Sequence, residues 1–380
     1  MTSTKTKKPP RYDRLFVILM PLLATLAALA VGAILLFLLG TNPLEAYSAM
    51  IQGAFGSKNA LADTIVKAVP LLLVGVGICI SFRGGVLNIG GEGQLIVGAL
   101  SATYVGLAIP DASFGVLVPL ALLAGFLGGA VWGGIPGVLK AYFNVNEILS
   151  TIMMNAIAVQ GMNYLLRGPM IDPVQLEAAS RIPQTARLSR LYDLPRLIPT
   201  RLHLGAAIAV VAAILVYIFL WRTTIGYRIR AVGLNAFAAR YAGINVRHYM
   251  VLALLLSGAM AGLAGAVQVF GVHHRMFTDG SAMGFTGSAG FNGIVAALFG
   301  QLHPLGTIPA SFFFGALIVG ANAMQRAMQI PSALITTLNG LLVVFVVSSE
   351  FFRQRLEKKR LMEIEEIDEA DKRMEAEVAA

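Results

Sequence analysis

The sequence has 380 residues, of which 57% are apolar and only 13% charged, and its mean hydropathy is +0.74. A soluble domain carries about a quarter charged residues, so this composition excludes an ordinary soluble enzyme. Of the 49 charged residues, 36 lie in the stretches 1–14, 167–201, 222–247 and 351–380. Apolar runs of about 20 residues separated by charged loops predict an all-α polytopic membrane protein.

The apolar runs predict about ten transmembrane helices, which together form one domain over residues 15–349. The N-terminal stretch 1–14 has five Lys and Arg residues against one Asp, an excess that places it in the cytoplasm. An even number of crossings returns the C-terminus to the cytoplasm, where 350–380 forms a charged tail. In chain order, the predicted spans are 15–40, 64–82, 91–110, 114–133, 146–166, 203–221, 249–271, 286–303, 305–325 and 331–349.

Two long loops test this topology. Loop 222–247 contains five Arg and no acidic residue, which places it in the cytoplasm as the topology requires. Loop 167–201 is extracytoplasmic by the same topology, yet it holds six Arg against three acidic residues. Either this loop is a docking surface for an acidic partner, or the number of spans before it is wrong by one.

Two glycine-rich segments interrupt the apolar pattern, at 82–94 and 284–307. Paired interruptions in the two halves of a chain indicate discontinuous helices around a transport site. The alternative is a pair of ordinary tight loops at the membrane surface. Elsewhere, Gly125, Gly129, Gly133 and Gly137 recur every four residues and predict close packing against another helix.

The polar residues inside the apolar regions are mostly amides, and polar groups inside a membrane are functional candidates. Amides suit an uncharged, hydrogen-bonding solute such as a sugar or a nucleoside, and a phenylalanine ring is suited to stacking on it. For each single amide, hydrogen bonding between helices is the alternative role. The candidate substrate path comprises Asn88, Glu92, Asn155, Phe291, Asn292 and Asn322.

The sequence contains neither a phosphate-binding P-loop nor a metal-binding or catalytic motif of the H-E-x-x-H, CxxC or G-x-S-x-G type. We therefore expect no enzymatic activity, no metal and no cofactor in this chain. The net charge of +9 lies beside apolar spans, so no nucleic-acid partner is expected. A transporter without its own ATPase or ion coupling needs an external source of energy. The alternative is a stand-alone ion-coupled secondary carrier or facilitator.

The loop 222–247 is a candidate binding site for a partner protein that supplies this energy. Its middle, LNAFAARYAGI at 234–244, predicts a short helix that stops at Gly243. A short cytoplasmic helix between two spans can transmit the motion of a partner. The alternative is a solvated connector.

Four strings resemble the permease subunits of bacterial ABC importers, in the simple-sugar and nucleoside branch of the branched-chain amino acid/ribose permease family. They are NIGGEGQLIVGAL at 88–100, NEILSTIMMNAIA at 146–158, RAVGLNAFAARYAGINV at 230–246 and ALFGQLHPLGT at 297–307. One departure is Asn292, where related chains often carry Asp in a G-F-D-x-I string.

The resemblance implies a permease in the bacterial cytoplasmic membrane, surrounded by lipid and paired with a second permease subunit. It also implies cytoplasmic ATP-binding subunits that hold ATP and magnesium, and an extracytoplasmic substrate-binding lipoprotein. By matching position, the ATPase contact would comprise Gly233, Asn235, Ala238, Ala239, Gly243 and Ile244. Loop 167–201 would face the binding protein, with Arg181, Arg187 and Arg190 as candidate docking residues.

Overall fold

The computed structural model describes residues 11–178 and 181–331, with scattered positions between 333 and 348. The predicted tail 350–380 lies outside the described residues, as do residues 1–10 and much of the predicted span 331–349. Within the described part, the regular structure is helical, as predicted for the fold class. The helices are α1 (Arg11–Leu38), α2 (Pro43–Phe55), α3 (Lys58–Arg83), α4 (Gly91–Ala108), α5 (Phe114–Phe143), α6 (Glu147–Arg167), α7 (Pro173–Glu177), α8 (Gly205–Arg222), α9 (Thr224–Leu234), α10 (Ala236–Tyr241), α11 (Val246–Gln268, continued by a π-helix at Val269–His273), α12 (Met283–Thr286), α13 (Ala289–Phe299) and α14 (Pro304–Met328).

The chain divides into two compact units, residues 1–45 with 330–380 and residues 46–329. The described part of the first unit includes α1, whose Leu23–Leu38 stretch is apolar. The second unit contains α3 to α14 and all of the residues discussed below. The sequence did not predict α2, which lies between the first two predicted spans.

Among the described residues, five helices are long and apolar enough to cross a membrane: α3, α5, α8, α11 with its π-helical continuation, and α14. They coincide with five of the predicted spans, so a multi-pass membrane protein is confirmed at this level. The total of ten spans and the cytoplasmic location of both termini stay predictions.

Helices α5 and α11 pack with their backbones in close contact along the predicted glycine stripe. A Cβ atom added at Gly133 would lie 2.6 Å from the Leu254 carbonyl oxygen, and one at Gly129 would lie 2.7 Å from the Gly262 nitrogen. The opposite face of α5 carries large exposed apolar side chains, which is the surface expected against lipid. They recur at helical spacing, as Val116, Leu120, Leu123, Leu127 and Val131.

The second unit has two ends with different loops. The α10 end, as we name it, comprises residues 83–85, 144–146, 223–245 and 300–303. The opposite end comprises residues 109–113, 168–204 and 274–282. There, Thr185 and Met276 join the two longest loops by a backbone hydrogen bond of 2.9 Å, and the Tyr192 hydroxyl donates to the Pro110 carbonyl.

Helices α4 and α13 both begin deep inside this unit. A Cβ atom added at Gly91, the first residue of α4, would lie 3.2 Å from the Val74 side chain and 3.4 Å from Gly290 Cα. Val74 precedes the end of α3 by nine residues, which is about 14 Å along the helix axis. That depth is about half of a 30 Å hydrocarbon layer.

The glycine-rich segments are therefore interruptions inside the bundle. Residues 84–90 are non-helical, and they return from the end of α3 to the middle of its length. From there α4 runs to the opposite end, whereas α13 runs to the α10 end. The N-termini of α4 and α13 thus meet at one depth.

Candidate functional site

Glu92 joins the N-termini of α4 and α13. Its Oε1 atom accepts hydrogen bonds from the backbone N–H groups of Gly290 (2.9 Å) and Phe291 (3.3 Å). The first N–H groups of a helix have no partner within the helix and carry partial positive charge, so a carboxylate is favourable there. An added Cβ at Gly290 would overlap the Glu92 backbone, so only glycine allows this approach.

Asn88 organises the non-helical segment before α4. Its Nδ2 atom donates to Ser257 Oγ (2.8 Å) and Gln94 Oε1 (2.9 Å). Its Oδ1 atom accepts from the Gly90 N–H (2.9 Å) and from Gln94 Nε2 (3.1 Å). The hydrogen-bonding capacity of this fully buried amide is therefore used within the protein.

Asn155, on α6, bridges the interruption. Its Oδ1 atom accepts from the Gly93 N–H at 2.8 Å, and its Nδ2 atom donates to the Ile89 carbonyl at 2.9 Å. These backbone groups lack helical partners because the chain is non-helical just before them. The side chain supplies those partners, which is the role of hydrogen bonding between helices.

The structure brings five of the six predicted substrate-path residues into one region. Phe291 is half exposed beside Glu92, and Asn292 follows it with partial exposure. Asn322 does not belong to this region, because it lies on α14 towards the opposite end. A role for any of the six in substrate passage stays a prediction.

Asn322 lines a cavity of about 540 Å³, which we call the basic cavity. Its charged lining comprises Lys67, Arg187, Arg196, Arg201 and Arg326 against Asp63 and Asp193. Asp193 pairs with His274, with 2.7 Å between Oδ1 and Nδ1. Burial lowers the pKa of His274; the Asp193 carboxylate opposes this shift, and neighbouring arginines reinforce it. The predicted docking residues Arg181, Arg187 and Arg190 are all exposed on the same loop.

Helix α10 forms where the sequence predicted a short helix. The Asn235 side chain caps it by accepting from the N–H groups of Phe237 and Ala238, both at 3.0 Å. Gly243, with φ of +77°, ends it, and the Ile244 N–H bonds the Ala239 carbonyl at 3.0 Å. This is a glycine-terminated C-cap.

Large apolar side chains are exposed on α10 and at the adjoining end of α9. Leu234, Phe237 and Tyr241 are 86%, 76% and 94% exposed. The sequence reasoning missed these three, although large apolar side chains in an arginine-rich loop are a usable signal. Of the six predicted ATPase-contact residues, Asn235, Ala238 and Gly243 are exposed, Gly233 and Ile244 are half-buried, and Ala239 is buried. Their role in contacting an ATPase stays a prediction.

The end of α9 contacts the turn that precedes the interruption. A Cβ at Gly233 would overlap the Arg83 carbonyl and lie 2.7 Å from the Gly85 nitrogen. The Arg83 guanidinium donates to the carbonyls of Leu302 (3.1 Å) and Gln301 (3.2 Å). Arg83 thus ties the α3 end to the turn between α13 and α14.

Within the described residues, no group of three or more His, Cys, Asp and Glu side chains is placed to hold a metal ion. Residues 60–347 match the family described as branched-chain amino acid transport system / permease component. No solved structure matches the chain.

Several relatives are similar over most of the chain. The guanosine ABC transporter permease protein NupP of Bacillus subtilis is 36% identical over 349 residues, covering 91% of this chain and 98% of the relative. The glucose ABC transporter permease protein TsgB13 of Haloferax volcanii is 35% identical, covering 88% of both chains. The nucleoside ABC transporter permease protein NupB of Lactococcus lactis is 29% identical, covering 92% of this chain and 96% of the relative.

These matches support a permease subunit rather than a stand-alone carrier or facilitator. The family covers the interrupted segments, α10 and the five long apolar helices. The chain therefore belongs to the branched-chain amino acid transport system permease family, and it is a permease subunit of an ABC transport system.

Proposed function

We propose that this chain is the transmembrane subunit of an ATP-driven importer that moves nucleosides or simple sugars across the bacterial cytoplasmic membrane. The observation that carries the proposal is the exposed apolar surface at α10. The other side of this helix packs against the bundle, beside the interrupted segments. The names of the relatives, for guanosine, nucleosides and glucose, support this substrate class. The amide-rich interior is suited to such uncharged, hydrogen-bonding solutes.

The α10 end would face the cytoplasm and contact a separate ATP-binding subunit, which holds ATP and magnesium and performs the hydrolysis. Large apolar side chains that are almost fully exposed at the surface of a protein mark a contact with a partner. Leu234, Phe237 and Tyr241 would enter a groove of the ATPase. Asn235, Ala238 and Gly243 would lie at the same contact, while Ala239 holds α10 against the bundle.

Movement of α10 has a short contact route to the interrupted helices. Gly233 packs directly on Arg83 and Gly85, and the chain leads from there through residues 86–90 to Glu92. Glu92 in turn holds the start of α13. ATP-driven closure of the ATPase pair would move these elements as a rigid body and switch the access of the solute path.

The opposite end would face the outside and receive a substrate-binding lipoprotein. Arg181, Arg187 and Arg190 are exposed there, and the basic cavity has an excess of cations. An acidic partner surface would complement this charge and speed association. A second permease subunit would complete the solute path beside Phe291 and Asn292, and lipid would surround the pair.

The test is co-purification of the ATPase with Tyr241→Asp, followed by uptake in proteoliposomes. We expect the variant to insert normally but to lose both the ATPase and ATP-dependent uptake, because a charge replaces an apolar anchor. Val174→Asp is the matched control, since Val174 is 70% exposed at the opposite end, and it should retain the ATPase. Concentrative uptake by this chain without any partner would contradict the proposal.

A further inference from the structure

A small pocket adjoins the basic cavity and is lined by four polar and five apolar residues. Its volume is about 20 Å³, and its lining includes Lys67, His203, Gln268 and His273. Val66, Lys67, His203 and Val272 line both spaces. The pocket is therefore a side chamber at the inner wall of the basic cavity.

Two polar atoms of the lining residues are buried and have no hydrogen-bond partner within the described part of the chain: His203 Nε2 and Gln268 Oε1. The two side chains are only 2% and 8% exposed. Buried polar atoms are almost always paired in folded proteins, because losing water without gaining a partner is unfavourable. Two unpaired atoms on one pocket point to a ligand group that pairs with both.

The hydrogen bonds assign opposite roles to the two atoms. The Gly205 N–H donates to His203 Nδ1 at 3.1 Å, so in the neutral ring the proton resides on Nε2, which is a donor. Gln268 Oε1 is an acceptor. Glycines flank the imidazole closely, since an added Cβ at Gly205 or Gly271 would lie 2.6 or 2.7 Å from Nδ1. The ring is therefore held in place.

We propose that His203 and Gln268 recognise one hydroxyl group of the transported solute, a ribose or hexose hydroxyl that enters from the basic cavity. This inference rests on the proposed function, because it names the subsite for that solute class. A hydroxyl oxygen accepts one hydrogen bond and donates another, so a single group pairs with both atoms. A pocket of 20 Å³ admits one water-sized group and no larger one.

We expect this site to discriminate against solutes that lack the recognised hydroxyl group. A deoxy analogue without the recognised hydroxyl leaves His203 Nε2 and Gln268 Oε1 unpaired in the complex. Sites that hydrogen-bond a substrate hydroxyl discriminate strongly against analogues that lack it, for this reason. A bound water of the same size would fill the pocket without producing such selectivity.

The experiment measures uptake competition in the reconstituted complex of permease, ATPase and binding protein. The competitors are guanosine with its 2′-, 3′- and 5′-deoxy analogues, and glucose with its monodeoxy analogues. For each analogue, the inhibition constant is divided by that of its parent, and the ratios are compared between wild type and Gln268→Leu. The preference of the binding protein cancels, because the same binding protein is present in both reactions.

We expect Gln268→Leu to lower this ratio by about tenfold for one analogue and to leave the others unchanged. Gln268→Met, a second variant with a flexible apolar side chain, should do the same if the leucine variant fails to assemble. Thr103→Val and Ser311→Ala are matched controls, because each removes a different buried, unpaired hydroxyl outside this pocket. Both should keep the wild-type ratios.

Unchanged ratios of inhibition constants in both Gln268 variants would overturn the inference. The pocket would then hold a water molecule and not a solute hydroxyl. The proposed function would survive that result if the wild-type complex still takes up guanosine or glucose with ATP. Failure of wild-type uptake for every solute in the panel would instead contradict the proposed substrate class.

Discussion

Buried polar groups are hydrogen-bonded at the junction of α4 and α13. In the small chamber beside the basic cavity, two of them are not. At the junction, Asn88 and Asn155 use their amides to pair backbone groups that the interruption exposes. At the chamber, His203 Nε2 and Gln268 Oε1 are buried and find no hydrogen-bond partner among the described residues. The comparison teaches that burial of a polar residue does not identify a solute site; an unpaired buried atom on a residue that lines a cavity is the more specific sign.

Glu92 stands between these two cases. Its Oε1 atom is paired with the start of α13, whereas its Oε2 atom has no hydrogen-bond partner among the residues that the structure describes. The paired oxygen explains why a carboxylate is tolerated at this depth, because two helix N-termini face it. The residue therefore positions α4 and α13 relative to each other.

The largest effect is expected from Asn155→Leu, which tests whether the junction is structural. The variant leaves the Gly93 N–H and the Ile89 carbonyl without partners inside the protein. Each lost pairing of a buried group costs about 1–3 kcal/mol, so the free energy of unfolding should fall by about 2–6 kcal/mol. Thermal unfolding of the detergent-purified protein measures this loss.

Gln160→Leu is the control for that experiment, because Gln160 is an exposed residue on the same helix. It should leave the unfolding temperature close to that of wild type. A stable, assembled Asn155→Leu protein with altered solute preference would contradict the structural role of the junction. Asn155 would then be a solute contact.

An intermediate effect is expected from Gly290→Ala, which tests the contact between the N-termini of α4 and α13. The new methyl group would overlap the Glu92 backbone and lie 2.8 Å from its Cα atom. Since backbone cannot rotate away as a side chain can, α13 must shift, and overpacking of this kind costs about 1–3 kcal/mol. Uptake should fall at least tenfold while the ATPase remains bound.

Gly161→Ala is the matched control, because an added Cβ there meets no atom of the described residues within 4 Å. In α6, alanine has a higher helix propensity than glycine, so this variant should be neutral or slightly more stable. Equal uptake by both variants would show that the α4–α13 contact is dispensable for transport.

Much of this architecture follows from local sequence signals. Gly243 predicts the end of α10, since a glycine there acts on the backbone within a few residues. The glycine stripe of α5 predicts close packing because small residues at helical spacing leave the backbone accessible. The interruption before α4 follows from the cluster of glycines around Asn88.

Other features depend on contacts that sequence spacing does not encode. Glu92 and Gly290 are 198 positions apart, and no local signal pairs them. The same is true of Arg83 and the α13–α14 turn. Ala239 was predicted from the resemblance as a contact residue, but only the packing of α10 shows that it faces the bundle. His203 was not singled out, because a lone histidine before a span has no distinctive pattern.

The smallest effect is expected from Arg187→Glu, which tests whether the basic cavity attracts its partner by charge. Arg187 is exposed, so solvent and salt screen its interactions. Charge reversal should slow association of the binding protein by a few-fold at low salt and leave its dissociation nearly unchanged. Surface plasmon resonance at two ionic strengths measures both rates.

The difference between wild type and variant should shrink at high salt, because screening removes long-range attraction but not direct contacts. Arg222→Glu, at the end of α8 beside the α10 end, should leave both rates unaltered. If dissociation instead accelerates equally at both ionic strengths, Arg187 makes a direct, desolvated contact with the binding protein. The basic cavity would then bind its partner through paired charges, as Glu92 binds the start of α13, and not through long-range attraction.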